Sequence, residues 1–206
     1  NGATNVNNIN SIMNQGLVDF YGIPVADVDG FEKIEYPASS PRRGILSHAS
    51  LLTMTTNGDR TSPVERGTYI LHKFLNVPKM QPPPNVPELS IDSVKSNASV
   101  RSALQQHSKL PQCASCHLLI DPLGYGMENF NAVGLWRDKE ILFDVNERKI
   151  KKRKSKPKNT KPLDTSGQMP DGLRTFKGFI GLREHLSSDA DLMLQGLVKS
   201  ILIYIR

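Results

Sequence analysis

Cys113-Ala114-Ser115-Cys116-His117 contains the only two cysteines of the chain and gathers two thiols and an imidazole within five positions. On the first turn of a helix, Cys113 and Cys116 project to one side, where each can form a thioether to a haem vinyl group. His117 can then aim a ring nitrogen at the iron. This is the spacing of covalent c-type haem attachment. The same cysteine pair suits a redox dithiol, which usually sits beside a strand–helix–strand unit, and it also suits a plain disulfide. Zinc needs two further close ligands, and no second Cys-x-x-Cys or His-x3-5-His follows. The five residues alone leave haem and dithiol both open.

Other chemistries lack their signatures. The chain has no Ser-His-Asp order, no Gly-rich phosphate loop and no His-Glu-x-x-His, so a hydrolase or nucleotide enzyme is not supported. Asp121 and Glu128 are acids close to the cysteine segment. Asp121, directly before Pro122, reads as a turn former rather than an acid catalyst. His48, His72 and His185 lie on helical segments and read as capping or packing residues.

The elements that must position these groups read as mainly helical. Ile9, Ile12, Met13, Leu17 and Phe20 recur at helical spacing, ending near Gly22-Ile23-Pro24. Residues 31–41 read as an extended loop, and residues 44–55 as a short apolar helix. Ser62-Pro63-Val64-Glu65 is a helix start, with Ser62 as cap, Pro63 in the first turn and Glu65 completing a capping box. That helix runs through Tyr69, Ile70, Phe74 and Leu75 and is stopped by Pro78. Residues 78–87 hold five prolines and predict a polyproline-type strap or a linker. A helix over 99–107 follows, and then the cysteine turn over 113–120, ended by Asp121-Pro122. Asp164-Thr165-Ser166-Gly167 and Asp171-Gly172 are turn signals flanking one small hairpin. Residues 173–186 and 189–206 supply two last helices. The stretch 192–206 is apolar but too short to span a bilayer, and it contains Gln195, Lys199 and Ser200; a buried helix is expected.

A chain of 206 residues, 38% hydrophobic and 22% charged, can bury a real core and has an ordinary globular composition. It starts at Asn1 with no signal-like segment, and both ends read as those of a piece cut from something longer. The net charge of +6 belongs to one place: residues 147–161 carry nine Lys/Arg against one acid, and the remainder of the chain is slightly acidic. A solvated mobile insertion is the simplest reading of this stretch. A patch steering an acidic redox partner comes second. Nucleic acid is not expected, because no aromatic residue is interleaved with the charges.

Several strings together resemble one family. They are Arg43-Gly44-Ile45-Leu46-Ser47-His48, Thr61-Ser62-Pro63-Val64-Glu65-Arg66-Gly67, the strap Pro82-Pro83-Pro84-Asn85-Val86-Pro87, and Gln106-His107 followed by Cys113–His117. The block from Ile120 to Arg137 continues the likeness, and Asp164–Gly167 with Pro170-Asp171-Gly172 closes it. These resemble the cytochrome-like C-terminal domains of large planctomycete proteins (PSCyt/PSD-type, of unknown function) that carry a c-type haem motif. The resemblance covers residues 41–206, and residues 15–40 look like the tail of a preceding family domain. It implies one covalent haem c, a periplasmic or extracytoplasmic location and a place in a larger exported polypeptide; it supplies no reaction. One departure is the length and basicity of residues 138–163, where family members pass quickly from the Trp-Arg motif to the Asp-x-Ser-Gly turn.

With that resemblance, the expected fold class is mainly α: a cytochrome c-like small helical domain with a Pro-rich strap and room for one short hairpin. Three parts are expected: a tail of a preceding domain over 1–40, the haem domain over 41–140, and a C-terminal helical domain over 141–206 with the basic insertion 147–161. Cys113, Cys116 and His117 would hold the haem, with His117 as the proximal iron ligand. For the distal position His107 ranks ahead of Met169, which lies 52 residues after His117. The family also places a His at the first position and often a Leu at the second. Met54 and Met127 read as core. Arg137 could pair with a haem propionate or form a surface salt bridge. Three functions follow: a mono-haem electron-transfer module working with a redox partner protein or other domains of the same polypeptide, an oxidoreductase with an open iron position, or a structural module of an extracytoplasmic assembly.

Overall fold

Asn14 closes the first strand and opens the first helix, because its side chain accepts a hydrogen bond from the Leu17 amide at 3.0 Å. A computed structural model describes residues 7–58, 60–79, 99–109, 111–142 and 160–205. Strand β1 (Asn10–Met13) leads into helix α1 (Gln15–Tyr21), and Gly22 ends the helix in the left-handed region at φ 65°. Strand β2 (Glu32–Glu35) returns antiparallel to β1, with Ser11 opposite Ile34. Met13, Val18, Ile23, Ile34 and Tyr36 form a small cluster of their own under this unit. The helical spacing expected from Ile9 to Phe20 is therefore a strand followed by a helix, and the loop expected over 31–41 holds β2. Ile9, Ile12 and Phe20 are exposed, so the apparent periodicity mixed buried and solvent-facing residues.

After a 3-10 turn (Ile45–Ser47) come α2 (Ala49–Met54) and α3 (Pro63–Tyr69), which continues as a π-helix (Ile70–Phe74). Ser62 caps α3 as expected, accepting from the Glu65 amide at 3.3 Å, with Pro63 at the first turn. Helix α4 (Val100–His107) is capped by Ser99, which accepts from the Ser102 amide at 3.1 Å. Helix α5 (Pro111–Gly126) carries the cysteine motif. It passes through Pro122, so Asp121-Pro122 does not end it. Strand β3 (Lys139–Ile141) pairs antiparallel with β4 (Thr160–Pro162), and β5 (Ser166–Gln168) with β6 (Thr175–Lys177). Helices α6 (Gly178–Ser188) and α7 (Ala190–Ile205) follow.

The mainly α, cytochrome c-like expectation is corrected by this inventory. The structure is 47% helical and holds three two-stranded antiparallel sheets among the described residues, which makes it a mixed helix-and-sheet fold. Only β5–β6 is the hairpin that the turn signals predicted. The β3–β4 pair brackets the long insertion instead of a tight turn. Apart from Thr160 and Lys161, the basic stretch 147–161 lies outside the described residues, as does most of the Pro-rich strap. No described helix is long and apolar enough to cross a membrane. Helix α7 is less buried than expected: Met193 faces the core, while Leu194, Val198 and Leu202 are exposed.

One core cluster contains Leu46, Leu52, Leu71, Phe74, Leu123, Phe130, Met169, Phe179, Leu182 and Met193. Segments on both sides of residue 140 thus contribute to the same core. Its centre is the crossing of α3 and α5, which share the most extensive contact of any two described elements. Two glycines permit it. A Cβ on Gly67 would lie 2.0 Å from the Ile120 carbonyl oxygen, and one on Gly124 would lie 1.9 Å from the Pro63 carbonyl oxygen.

The β5–β6 turn is fixed by Asp171, which accepts from the Leu173 amide at 2.8 Å, the Arg174 amide at 3.1 Å and Arg174 Nε at 2.6 Å. These bonds hold its carboxyl down to about 2. The folded turn favours the ionised form, so its protection is complete above about pH 4 and is lost as the pH falls through about 2. Amide exchange at Leu173 and Arg174, corrected for intrinsic rates, should accelerate across that window; protection unchanged at pH 2 would contradict this assignment.

Candidate functional site

Cys113, Cys116 and His117 occupy positions i, i+3 and i+4 of α5, which puts them on one face of that helix. Both cysteines are free thiols, Cys113 buried and Cys116 half-buried. Cys116 packs on the edge of the main core, and Leu118 beside it is 73% exposed. The motif therefore lies where the core meets the surface. Among the described residues, no group of three or more His, Cys, Asp or Glu converges as a metal cluster.

Asp121, one turn beyond His117, is buried, and its Oδ1 lies 2.8 Å from His117 Nδ1. A carboxylate at that distance requires a donor, so Nδ1 carries a proton; in the neutral imidazole Nε2 then keeps its lone pair. Asp121 raises the imidazole above its ordinary value, through this hydrogen bond first, against the opposing effect of burial. Reading Asp121 as a turn former missed this role. The signal was the i,i+4 spacing from His117, hidden by the assumption that Pro122 breaks the helix.

Helix α4 brings a second imidazole to the first. The His107 and His117 rings stand edge to face with centroids 5.5 Å apart. Four contacts hold α4 in that place. Glu140 of β3 accepts from the Val100 amide at 3.3 Å, at the helix start. The Arg101 guanidinium lies 4.2 Å from the centre of the Tyr125 ring on α5. Arg101 also donates to the Ser166 carbonyl on β5 at 2.6 Å and pairs with Asp164 at 3.3 Å. Beyond this pair, Met169 is 2% exposed within the main core cluster.

Arg137 is held elsewhere. Its guanidinium meets Glu128 Oε2 at 2.6 Å and Thr61 Oγ1 at 3.2 Å, and its Nε donates to the Glu128 carbonyl at 2.9 Å. Glu128 also accepts from Thr61 at 2.7 Å and from Arg66 at 3.3 Å. Arg66 is fully buried and donates to the carbonyls of Met127 at 3.0 Å, Phe130 at 2.7 Å and Asn131 at 2.9 Å. Burial pushes Glu128 up against the pull of both arginines, and it lowers Arg66 to about 10, still protonated at neutral pH. This network locks the segment after α5 and fixes the C-terminal end of the helix that carries the motif. His48, His72 and His185 contact Ser11 Oγ, the Val77 carbonyl and the Thr175 carbonyl, respectively.

The arrangement fits a covalently held haem. Two free thiols and an imidazole share one helical face where the core meets the surface, and the imidazole's Nδ1 is engaged, so Nε2 is the nitrogen that could bind iron. Cys113 and Cys116 would supply the thioethers, His117 the proximal ligand and His107 a second imidazole within reach of the same site.

Residues 42–140 match the family described as PSCyt3, protein of unknown function (DUF1588). The matched stretch includes His107, the cysteine motif, Asp121, Glu128 and Arg137, and it ends before Met169. No curated protein and no solved structure matches the chain.

Proposed function

We propose that this chain is a mono-haem electron-transfer module. The observation that carries the reading is the meeting of His107 and His117, 5.5 Å between ring centroids, beside two free thiols on the His117 face of α5. A c-type haem bound there supplies a one-electron Fe(III)/Fe(II) couple whose potential depends on its axial ligands, burial and hydrogen bonding. The chain's own residues do the rest. Cys113 and Cys116 would anchor the group, and His117 would hold it through Nε2. Arg101, Tyr125 and Glu140 hold α4 so that His107 stays beside His117, where it would be available as a second ligand. If both imidazoles held such a haem, no position would remain open for a substrate, which would favour electron transfer over an oxidoreductase. Covalent haem attachment implies maturation outside the cytoplasm, hence an extracytoplasmic setting. The electron partner is a redox protein or another domain of the same polypeptide.

The full chain, produced with a c-type haem maturation system, should keep its haem through denaturing electrophoresis and acidified solvent. Cys113→Ser and Cys116→Ser together should abolish that retention. The native spectrum should be six-coordinate and low-spin. His107→Ala should convert it to high-spin, whereas Met169→Leu should leave it unchanged, since Met169 lies in the core. A colourless wild-type product sinks the haem reading. A low-spin spectrum that persists in His107→Ala removes His107 from the iron.

A further inference from the structure

We propose that Asp121 is the positioning residue that sets the haem potential, holding His117 in a single tautomer and making it a more electron-donating ligand. The inference rests on the haem reading above and concerns a side chain that does not itself touch the iron. Its geometry is complete within one helix: His117 and Asp121 are four residues apart on α5 and meet at 2.8 Å. Asp121 is 4% exposed, so little water competes for its oxygens, and the hydrogen bond is stronger there than at a wet surface.

The other buried carboxylate near the end of this helix gives the contrast. Glu128 is faced by the two guanidiniums of Arg66 and Arg137. Asp121, among the described residues, has His117 as its ion-pair partner. Its carboxylate therefore faces an imidazole where Glu128 faces two guanidiniums. Tyr125, one turn further on, is pushed up by burial first, and then by the Asp121 charge and a hydrogen bond to Asp121. A ligating imidazole that donates its other N–H to a carboxylate becomes more basic. Greater basicity stabilises the more positive state of the iron, so Asp121 lowers the reduction potential. An Asp121 side chain rotated away would free Nδ1 and lose both effects.

Asp121→Asn tests this directly in the haem-loaded full chain. The amide oxygen can still accept from Nδ1–H, while the charge is removed. Reduction should become more favourable on the order of tenfold, an upward shift of about 59 mV for one electron. Asp121→Glu, which restores the charge, should recover at least half of the shift. Asp121→Ser serves if the Asn variant folds poorly, and it should shift the potential in the same direction. A purely structural role predicts a lower unfolding temperature with an unchanged potential, and that outcome overturns the proposal. A wild-type chain that takes up no haem instead overturns the function on which it rests, so the two failures are distinct.

Discussion

Gly124→Ala should lower the thermal unfolding midpoint by roughly 10 °C, with Gly67→Ala close behind. On helix propensity alone the change should help, by about 1 kcal/mol. The crossing of α3 and α5 reverses the sign. The new methyl would sit 1.9 Å from the Pro63 carbonyl oxygen, and its neighbours there are backbone atoms of α3 rather than the tip of a flexible side chain. No rotamer change relieves such an overlap; the two helices must separate. Separation loosens the contact around Leu71 and Leu123, both fully buried. Overpacking in a filled core costs about 1–3 kcal/mol and more where backbone must move. A net loss of about 3 kcal/mol corresponds to roughly 6–12 °C in a domain of this size. Gly16 on α1 is the control, because a Cβ there meets only the Asn14 Oδ1 at 3.6 Å. Gly16→Ala should be neutral or slightly stabilising. Differential scanning fluorimetry on the three variants decides the matter: a Gly124→Ala midpoint equal to wild type would mean that α3 and α5 are not in this contact.

The same crossing separates what was legible in the sequence from what was not. Signals confined to a few neighbouring residues carried over well. Ser62-Pro63 starts a helix, and the turn residues around Asp171 mark a hairpin, because capping and turn geometry are decided locally. Signals that depend on distant partners did not. Pro122 lacks the N–H that an interior helix position donates, yet α5 continues to Gly126, packed against Pro63 of α3 and against β5, where a Cβ on Gly167 would lie 2.4 Å from the Pro122 carbonyl. Tertiary packing overrides the local break, and the His117–Asp121 pairing comes with it. Strands β1, β3 and β4 are three or four residues long, with Asn, Ser, Lys and Glu among them. Their pairing comes from partners up to two dozen residues away, and alternation over so few positions carries little information. Arg137 illustrates the limit most clearly. Its type and its place beside Trp136 suited either a propionate or a salt bridge, and the choice fell to Glu128 and Thr61, the latter 76 positions away in the chain.

Arg66→Met should be the most damaging single substitution away from the motif, costing about 3–5 kcal/mol. Methionine fills much of the arginine volume, so the loss comes from polar groups rather than from a cavity. The guanidinium supplies donors to the carbonyls of Met127, Phe130 and Asn131 and to Glu128, all within a site from which Arg66 is fully screened. Without it, those carbonyls lose a buried donor and Glu128 keeps only Arg137 and Thr61. Arg66→Lys should also be strongly destabilised, because a point-charge ammonium cannot reproduce the fork that serves several acceptors at once. The double variant Arg66→Met with Glu128→Gln separates charge from hydrogen bonding. Removing the under-compensated carboxylate should return at least about 1 kcal/mol relative to the sum of the single effects. Urea unfolding of the three variants and wild type measures that coupling; additive losses, or an Arg66→Met variant within about 1 kcal/mol of wild type, would show the network to be peripheral. The consequence reaches the proposed haem site through α5. Glu128 follows two residues after the helix end, so loosening the network frees the C-terminal turn and, with it, the backbone that holds Asp121 against His117. If the proposed haem binds at this site, Arg66→Met should therefore broaden its spectrum even in the fraction that remains folded, whereas Gly16→Ala should leave the spectrum as it is.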